Sequence, residues 1–276
     1  MIKEKTINNI SIKPLVNADS IEIDKIKGGK LFPELYGVSF LCARRKSGKT
    51  SVISEIIKRT TDKKTVVWIF CPTHRIDPSW IQIIQYLEDK GNTINCFDSM
   101  IEGKTNLLDE IVTDLSNPPE IEKKKEKEPF VVPVTKVCFE NPKSEAGTKK
   151  EYKPKKKAPE HIFIFDDISN ELKNPALLAL LKKSRHIKST IYISSQYIHD
   201  LPPQALKQLS YFLCFRSMTR EKLEHIYKML DLSIDEEKFY ELYDYATKDP
   251  FCFMYVDMKN QKFRKNFSKE LLLDDE

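Results

Sequence analysis

One stretch constrains this chain more than any other: Gly37-Val38-Ser39-Phe40-Leu41-Cys42-Ala43-Arg44-Arg45-Lys46-Ser47-Gly48-Lys49-Thr50-Ser51-Val52. An apolar run ends in a polar loop, the loop ends in Gly-Lys-Thr, and a helical pattern follows. Ala43 to Thr50 has the Walker A spacing, a small residue, four positions, then Gly-Lys-Thr, with Ala where Gly is usual. The residue types answer to a chemistry. Gly48 permits the turn in which successive backbone N–H groups face inward, an anion cradle at a helix N-terminus. Lys49 would reach β- and γ-phosphate oxygens, and the Thr50 hydroxyl would ligate Mg²⁺. Ala43, Arg44, Arg45, Lys46, Ser47, Gly48, Lys49, Thr50 and Ser51 are therefore the expected ATP-binding residues. The motif requires a strand before it and a helix after it. Val38 to Cys42 supplies the first, and Val52, Ile53, Ile56 and Ile57 recur at helical spacing for the second.

At 276 residues the chain is long enough for one large α/β domain or two small ones. The expected division is an N-terminal strand region over 1–30 and a P-loop ATPase domain over 31–276. No apolar run approaches a membrane span, and Met1-Ile2-Lys3-Glu4-Lys5 has no signal-peptide core. The six cysteines are nowhere closer than 25 residues, which excludes CxxC metal knuckles. Buried thiols in a reducing compartment are expected. The net charge of +5 looks like an argument for nucleic acid, but its distribution weakens that argument. Ile121 to Lys157 holds twelve Lys against six Glu, so this segment alone carries +6 and the remainder carries −1. The basicity belongs to an insertion, solvated or touching a phosphate backbone, and not to the presumed catalytic domain.

Along the chain, β-branched and aromatic runs alternate with helical patterns. Alternating positions before Lys30 read as one or two short strands. Thr65 to Cys71 reads as a strand buried on both faces, and His74 and Arg75 follow it, within reach of a nucleotide base. Trp80, Ile83, Ile84 and Leu87 mark a helix that stops at Gly91, Thr93 to Phe97 a short strand, and Leu107 to Leu115 another helix. Residues 120–160 break the rhythm as a charged insertion, in which Phe130 to Val132 and Val134 to Cys138 would pair as a hairpin. The sheet then resumes at His161-Ile162-Phe163-Ile164-Phe165-Asp166-Asp167, four apolar residues ending in two acids, the Walker B pattern. Asp166 would hold Mg²⁺ and Asp167 would polarise the attacking water. Pro175 to Lys183 is helical, Thr190 to Ile193 is a buried strand, and Gln196 lies just past its end, placed to contact γ-phosphate and water. Pro202-Pro203-Gln204 starts a short helix, and Tyr211 to Phe215 is a further strand. Leu223 to Leu230 is a helix, and the spacing of Ser233 and Glu236 predicts a capping box opening another. Phe251 to Val256 and the region of Phe263 read as a terminal hairpin.

Taken together, Ala43 to Thr50, Phe163 to Asp167, and Ser184-Arg185-His186 leading to Ser195-Gln196 resemble the HerA/FtsK superfamily. The match is closer to the genome-packaging ATPases of poxviruses, other large DNA viruses and virophages. The segment from Pro202-Pro203 to Phe215-Arg216 and the ending Phe253-Met254-Tyr255-Val256-Asp257 also look like that family. The resemblance covers Leu35 to Phe267 apart from the insertion. It implies a RecA-like, mostly parallel sheet flanked by helices, with a C-terminal hairpin. It further implies a hexameric ring that hydrolyses ATP with Mg²⁺ and drives double-stranded DNA into a capsid. The catalytic residues would be Lys49, Asp167, Gln196 and Arg185, the last reaching a neighbour's nucleotide, with Thr50 and Asp166 on the metal. Lys207 stands where the viral members usually carry Arg, which keeps the charge and loses the bidentate fork. Expected partners are DNA, other copies of the chain, and a capsid portal or membrane protein; the expected setting is the host cytoplasm, the virus factory or the virion. Two other functions fit the same motifs: a nucleotide-gated binding switch, for which Asp167 and Gln196 would be superfluous, and a RecA-like helicase.

Overall fold

Val38 to Cys42 forms strand β1, and all five of its residues are buried. Such a run is stable only in the middle of a sheet covered on both faces. The computed structural model, which describes residues 21–117 and 155–272, places it there. The other strands are β2 (Val66–Phe70), β3 (Thr93–Phe97), β4 (Ile101–Glu102), β5 (Thr105–Asn106), β6 (His161–Asp166), β7 (Ser189–Ser195), β8 (Tyr211–Phe215), β9 (Phe253–Asp257), β10 (Lys262–Lys265) and β11 (Lys269–Leu271). Nine of these form one sheet in the order β11-β10-β9-β8-β1-β7-β6-β2-β3, and β4 and β5 pair separately. From β8 across to β3 every neighbouring pair is parallel, whereas β9, β10 and β11 are added antiparallel.

The helices are α1 (Lys49–Thr60), α2 (Pro78–Lys90), α3 (Leu107–Ser116), α4 (Pro175–Lys183), α5 (Pro203–Leu206), α6 (Arg220–Leu230) and α7 (Glu236–Ala246). Successive strand residues point to opposite faces, so each apolar strand feeds two cores. Leu41, Ile69, Ile164 and Leu213 meet Ile53 and Ile57 of α1 and Trp80 and Leu87 of α2. Their neighbours Phe40, Phe70, Phe163, Phe165 and Phe212 meet α3 to α7 on the other side. That second face carries a row of stacked rings, Phe97 on Phe70 and Phe70 on Phe165, each with centroids 5.0 Å apart. Stacked pairs of this kind add about 0.5–1.5 kcal/mol beyond the area they bury. The expected α/β sheet flanked by helices is therefore what the chain forms. The five described cysteines are free, and burial pushes the Cys42 thiol up to about 12.

The structure departs from the sequence reading in four places. Residues 21–30 contain a 3₁₀ turn at Ile23–Lys25 and a lone bridge from Ile26 to Lys157, so this described part of the 1–30 region is not a strand. Chain segment 26–36 instead packs on the sheet: the Thr190 hydroxyl donates to the Leu35 carbonyl at 2.6 Å, and Phe32 touches the Tyr192, Tyr211 and Tyr255 rings. The end of the 120–160 insertion is likewise attached. Lys157 exchanges backbone hydrogen bonds with Lys25 and Lys27, and the Thr65 hydroxyl donates to the Pro159 carbonyl. The hairpin expected within Phe130 to Cys138 lies outside the described residues. The cap of α7 is Asp235, whose carboxylate accepts the Lys238 N–H at 2.7 Å, and not Ser233, which donates to Gln261. Finally, the β4–β5 hairpin and strand β11 carry too few residues for periodicity to reveal.

Candidate active site

In a parallel sheet, ligands gather beyond the carboxyl ends of the strands, where connections depart in different directions. Here β1 sends the chain across to β2, while the segment after β7 passes β1 to reach β8. The registers bring the three motif-bearing ends together. Cys42 pairs with Ser195, and Asp166 pairs with Ser194. The P-loop, the double aspartate and Gln196 thus emerge side by side, and the Ala43 N–H donates to the Ser195 carbonyl at 2.9 Å.

The helix that follows the P-loop is built differently from most of its neighbours. Helices α2, α3, α4, α6 and α7 are each capped by a side chain, from Asp77, Asn106, Asn174, Thr219 and Asp235. Helix α1 opens on Gly48 at φ 90°, without a capping side chain and without an acid in its first turn. Its first N–H groups and the positive end of its dipole are left for an anion. The cleft in front of them has a volume of about 560 Å³. Its walls are Ala43 to Lys46 and Gly48 to Ser51 on one side and Asp77, Ser79, Asp167, Gln196 and Phe251 on the other. Lys46, Asp167 and Phe251, at φ 62°, 55° and 61°, put three left-handed non-glycine backbones around one cleft. Conformations this uncommon collect at working sites, held by the structure around them.

Lys49 is the hub. Its Nζ lies 2.7 Å from Asp166 Oδ1 and 2.7 Å from Asp167 Oδ1. Burial works against the lysine charge, but the two carboxylates more than restore it and hold its pKa above the ordinary 10.5. Asp166 is almost fully buried, and its other oxygen accepts the Trp80 indole N–H at 3.1 Å. Asp167 is half exposed and faces the cleft. Of the expected ATP-binding residues all but Ser47 line the cleft; the Ser47 hydroxyl donates to the Arg44 carbonyl at 2.7 Å. Thr50 on the cleft wall and Asp166 on Lys49 offer hard oxygen donors, the kind that suits Mg²⁺ together with substrate phosphates. The ammonium already seated between the acids shows that the pair accepts a cation. Among the described residues no three His, Cys, Asp or Glu side chains form a metal cage, which a phosphate-bound Mg²⁺ does not need.

Three of the residues singled out in the sequence lie outside this cleft. Arg185 precedes β7 and is exposed at the amino end of the sheet, where it shares a groove with Lys207. A seven-residue strand separates it from Gln196, about 20 Å. It therefore takes no part in this chain's own cleft. His74 and Arg75 do not line the cleft either. His74 is buried with Nδ1 on the Cys71 carbonyl at 2.7 Å, and Arg75 Nε donates to His74 Nε2 at 3.2 Å. Arg216 follows β8, its N–H on the Cys252 carbonyl. Sequence reasoning missed Trp80, which reads as an ordinary apolar helix residue, and Phe251, which reads as the start of a strand. Asp77 and Ser79 were detectable as a cap but not as cleft walls.

Residues 138–247 match the family model of the Poxvirus A32 protein. That span takes in Asp166, Asp167, Arg185 and Gln196 and leaves the P-loop outside it. Among solved structures, the genome packaging NTPase B204 from Sulfolobus turreted icosahedral virus 2, in complex with AMP, is similar at 16% identity and a TM-score of 0.51. The similarity covers 83% of this chain and 95% of that one. The DNA-packaging ATPase B204 from Sulfolobus Turreted Icosahedral Virus aligns over 83% of this chain and 96% of its own, at 18% identity and a TM-score of 0.49. At such identities the likeness concerns the fold alone. No curated protein matches the chain.

Proposed function

We propose that this chain, A32-like over residues 138–247, is the ATPase of a viral genome-packaging machine and drives double-stranded DNA into a capsid. The observation that carries the reading is the meeting of Lys49 with Asp166 and Asp167, both at 2.7 Å, at the mouth of an uncapped helix. A phosphate-binding lysine and two strand-end acids around one cleft are the parts of a nucleotide hydrolase, and a site that only binds has no use for the second acid. ATP phosphates entering the cradle take Lys49 from the carboxylates. Thr50 and Asp166 would hold Mg²⁺, which would neutralise phosphate charge. Asp167, released, accepts a hydrogen bond from the attacking water and orients it, and the Gln196 amide contacts the terminal phosphate.

Arg185, at the far edge of the sheet, acts in this reading on the nucleotide of the next copy in a ring, with Lys207 beside it. An arginine supplied in trans is worth about 10³–10⁵ in rate. The ring works in the host cytoplasm or virus factory against a capsid portal or membrane partner. Among the described residues no helix is long and apolar enough to cross a membrane. The test is ATP turnover against protein concentration, with and without double-stranded DNA. Turnover per chain that rises with concentration and with DNA supports a ring motor. Flat, DNA-independent turnover contradicts it, and strand displacement without double-strand translocation would point to a helicase.

A further inference from the structure

The phosphate chemistry leaves one wall of the cleft unused. Phe251 lies between α7 and β9, and it breaks two habits of phenylalanine at once. Its side chain is 69% exposed, and its backbone sits at φ 61°, where a bulky residue is a rare outlier. The surrounding turn is tied down on both sides. Asp249 pairs with Lys265 at 2.6 Å, the Phe253 N–H donates to Asn266 Oδ1 at 3.1 Å, and the Cys252 carbonyl accepts the Arg216 N–H. The ring lies directly on the P-loop: a first side-chain carbon at Gly48 would stand 3.2 Å from its Cδ1. The fold thus holds an open aromatic face against the phosphate cradle in a conformation that the residue does not choose for itself.

The sheet order says which end of a nucleotide meets that face. Asp167 and Gln196 follow β6 and β7, on one side of β1, and the terminal phosphate belongs with them. Strands β8 and β9 lie on the other side of β1, and Phe251 comes just before β9. A nucleotide laid across the P-loop with its terminal phosphate toward Asp167 carries its base toward Phe251. We propose that Phe251 is the platform on which the nucleobase stacks, an affinity element of the site that rests on the ATPase reading above. Stacking on an aromatic face needs no edge-reading partner and is worth enough to set affinity.

The test is titration of ADP and of inorganic tripolyphosphate, each with Mg²⁺, into wild type, Phe251→Gly, Phe251→Trp and Lys49→Ala. A stacked base contributes about 5- to 150-fold in affinity, from the energies typical of base–aromatic contacts. Phe251→Gly should lose about that factor for ADP and bind tripolyphosphate as wild type does, while Phe251→Trp should retain ADP. Its unliganded melting temperature should not fall, because glycine accepts the positive φ without strain. Unchanged ADP affinity in Phe251→Gly overturns the platform, and so does an equal loss for both ligands, which would mean that the ring only shapes the P-loop. Wild type and Lys49→Ala that bind both ligands alike would instead bring down the phosphate site itself, and the platform with it.

Discussion

Asp166 illustrates how much one residue depends on two others. Its carboxylate is buried, one oxygen on the Trp80 indole and the other on Lys49. A buried carboxylate left without partners is costly, and a hydrogen bond to a charged group is worth about 1.5–3 kcal/mol. Trp80→Phe keeps most of the ring volume and removes the donor. We expect it to lower stability by about that amount and to reduce kcat with little change in ATP affinity, as read by denaturant melts and steady-state kinetics. An unchanged kcat would show that the indole only fills space. Asp167 is the complementary case, being half exposed and strained at φ 55°. Asp167→Asn keeps shape and hydrogen bonding but loses the charge, so it should retain ATP and lose about 10²–10⁴ in turnover. Hydrolysis that survives this change would remove Asp167 from the chemistry.

At the level of the element, a side-chain cap marks α2, α3, α4, α6 and α7 and is missing from α1, the helix that binds. Asp235→Ala should cost about 0.5–2 kcal/mol by loss of the α7 cap, and Ser233→Ala clearly less, in paired urea melts. The reverse order would restore Ser233 as the cap. Strand β6 adds a pH dependence. His161 Nδ1 accepts the Trp68 indole N–H at 3.3 Å, and burial lowers its pKa below 6.5. The unfolded chain therefore binds the proton first as pH falls. The contribution is complete above about pH 6.5 and declines as pH drops through the folded pKa. We expect stability to fall over that window and the slope to flatten in His161→Gln; identical slopes would exclude His161 as the source. These elements were largely legible in the sequence, because runs such as Thr65 to Cys71 and Tyr211 to Phe215 are too apolar to be anything but buried strands. What stayed hidden depended on distance. No local signal says that Trp80 reaches Asp166, or that a phenylalanine opening a strand lies over Gly48.

The whole molecule sets Arg185 and the nucleotide cleft at opposite ends of one sheet. The sequence already held the clue, since Arg185 comes before β7 and Gln196 after it, and a parallel strand keeps its two ends apart. A ring that places one copy's Arg185 edge against the next copy's cleft would join them. Lys49→Ala and Arg185→Ala chains, each inactive alone, should then recover part of the turnover when mixed, because some interfaces carry both intact halves. Mixtures no more active than either variant would confine the chemistry to single chains. The most direct measurement of all is a structure with Mg²⁺ and a non-hydrolysable ATP analogue. We expect Lys49 Nζ to have left the two aspartates for the β- and γ-phosphates, with the terminal phosphate between Asp167 and Gln196. A triphosphate bound elsewhere, with Lys49 still 2.7 Å from both carboxylates, would contradict the proposed hydrolase.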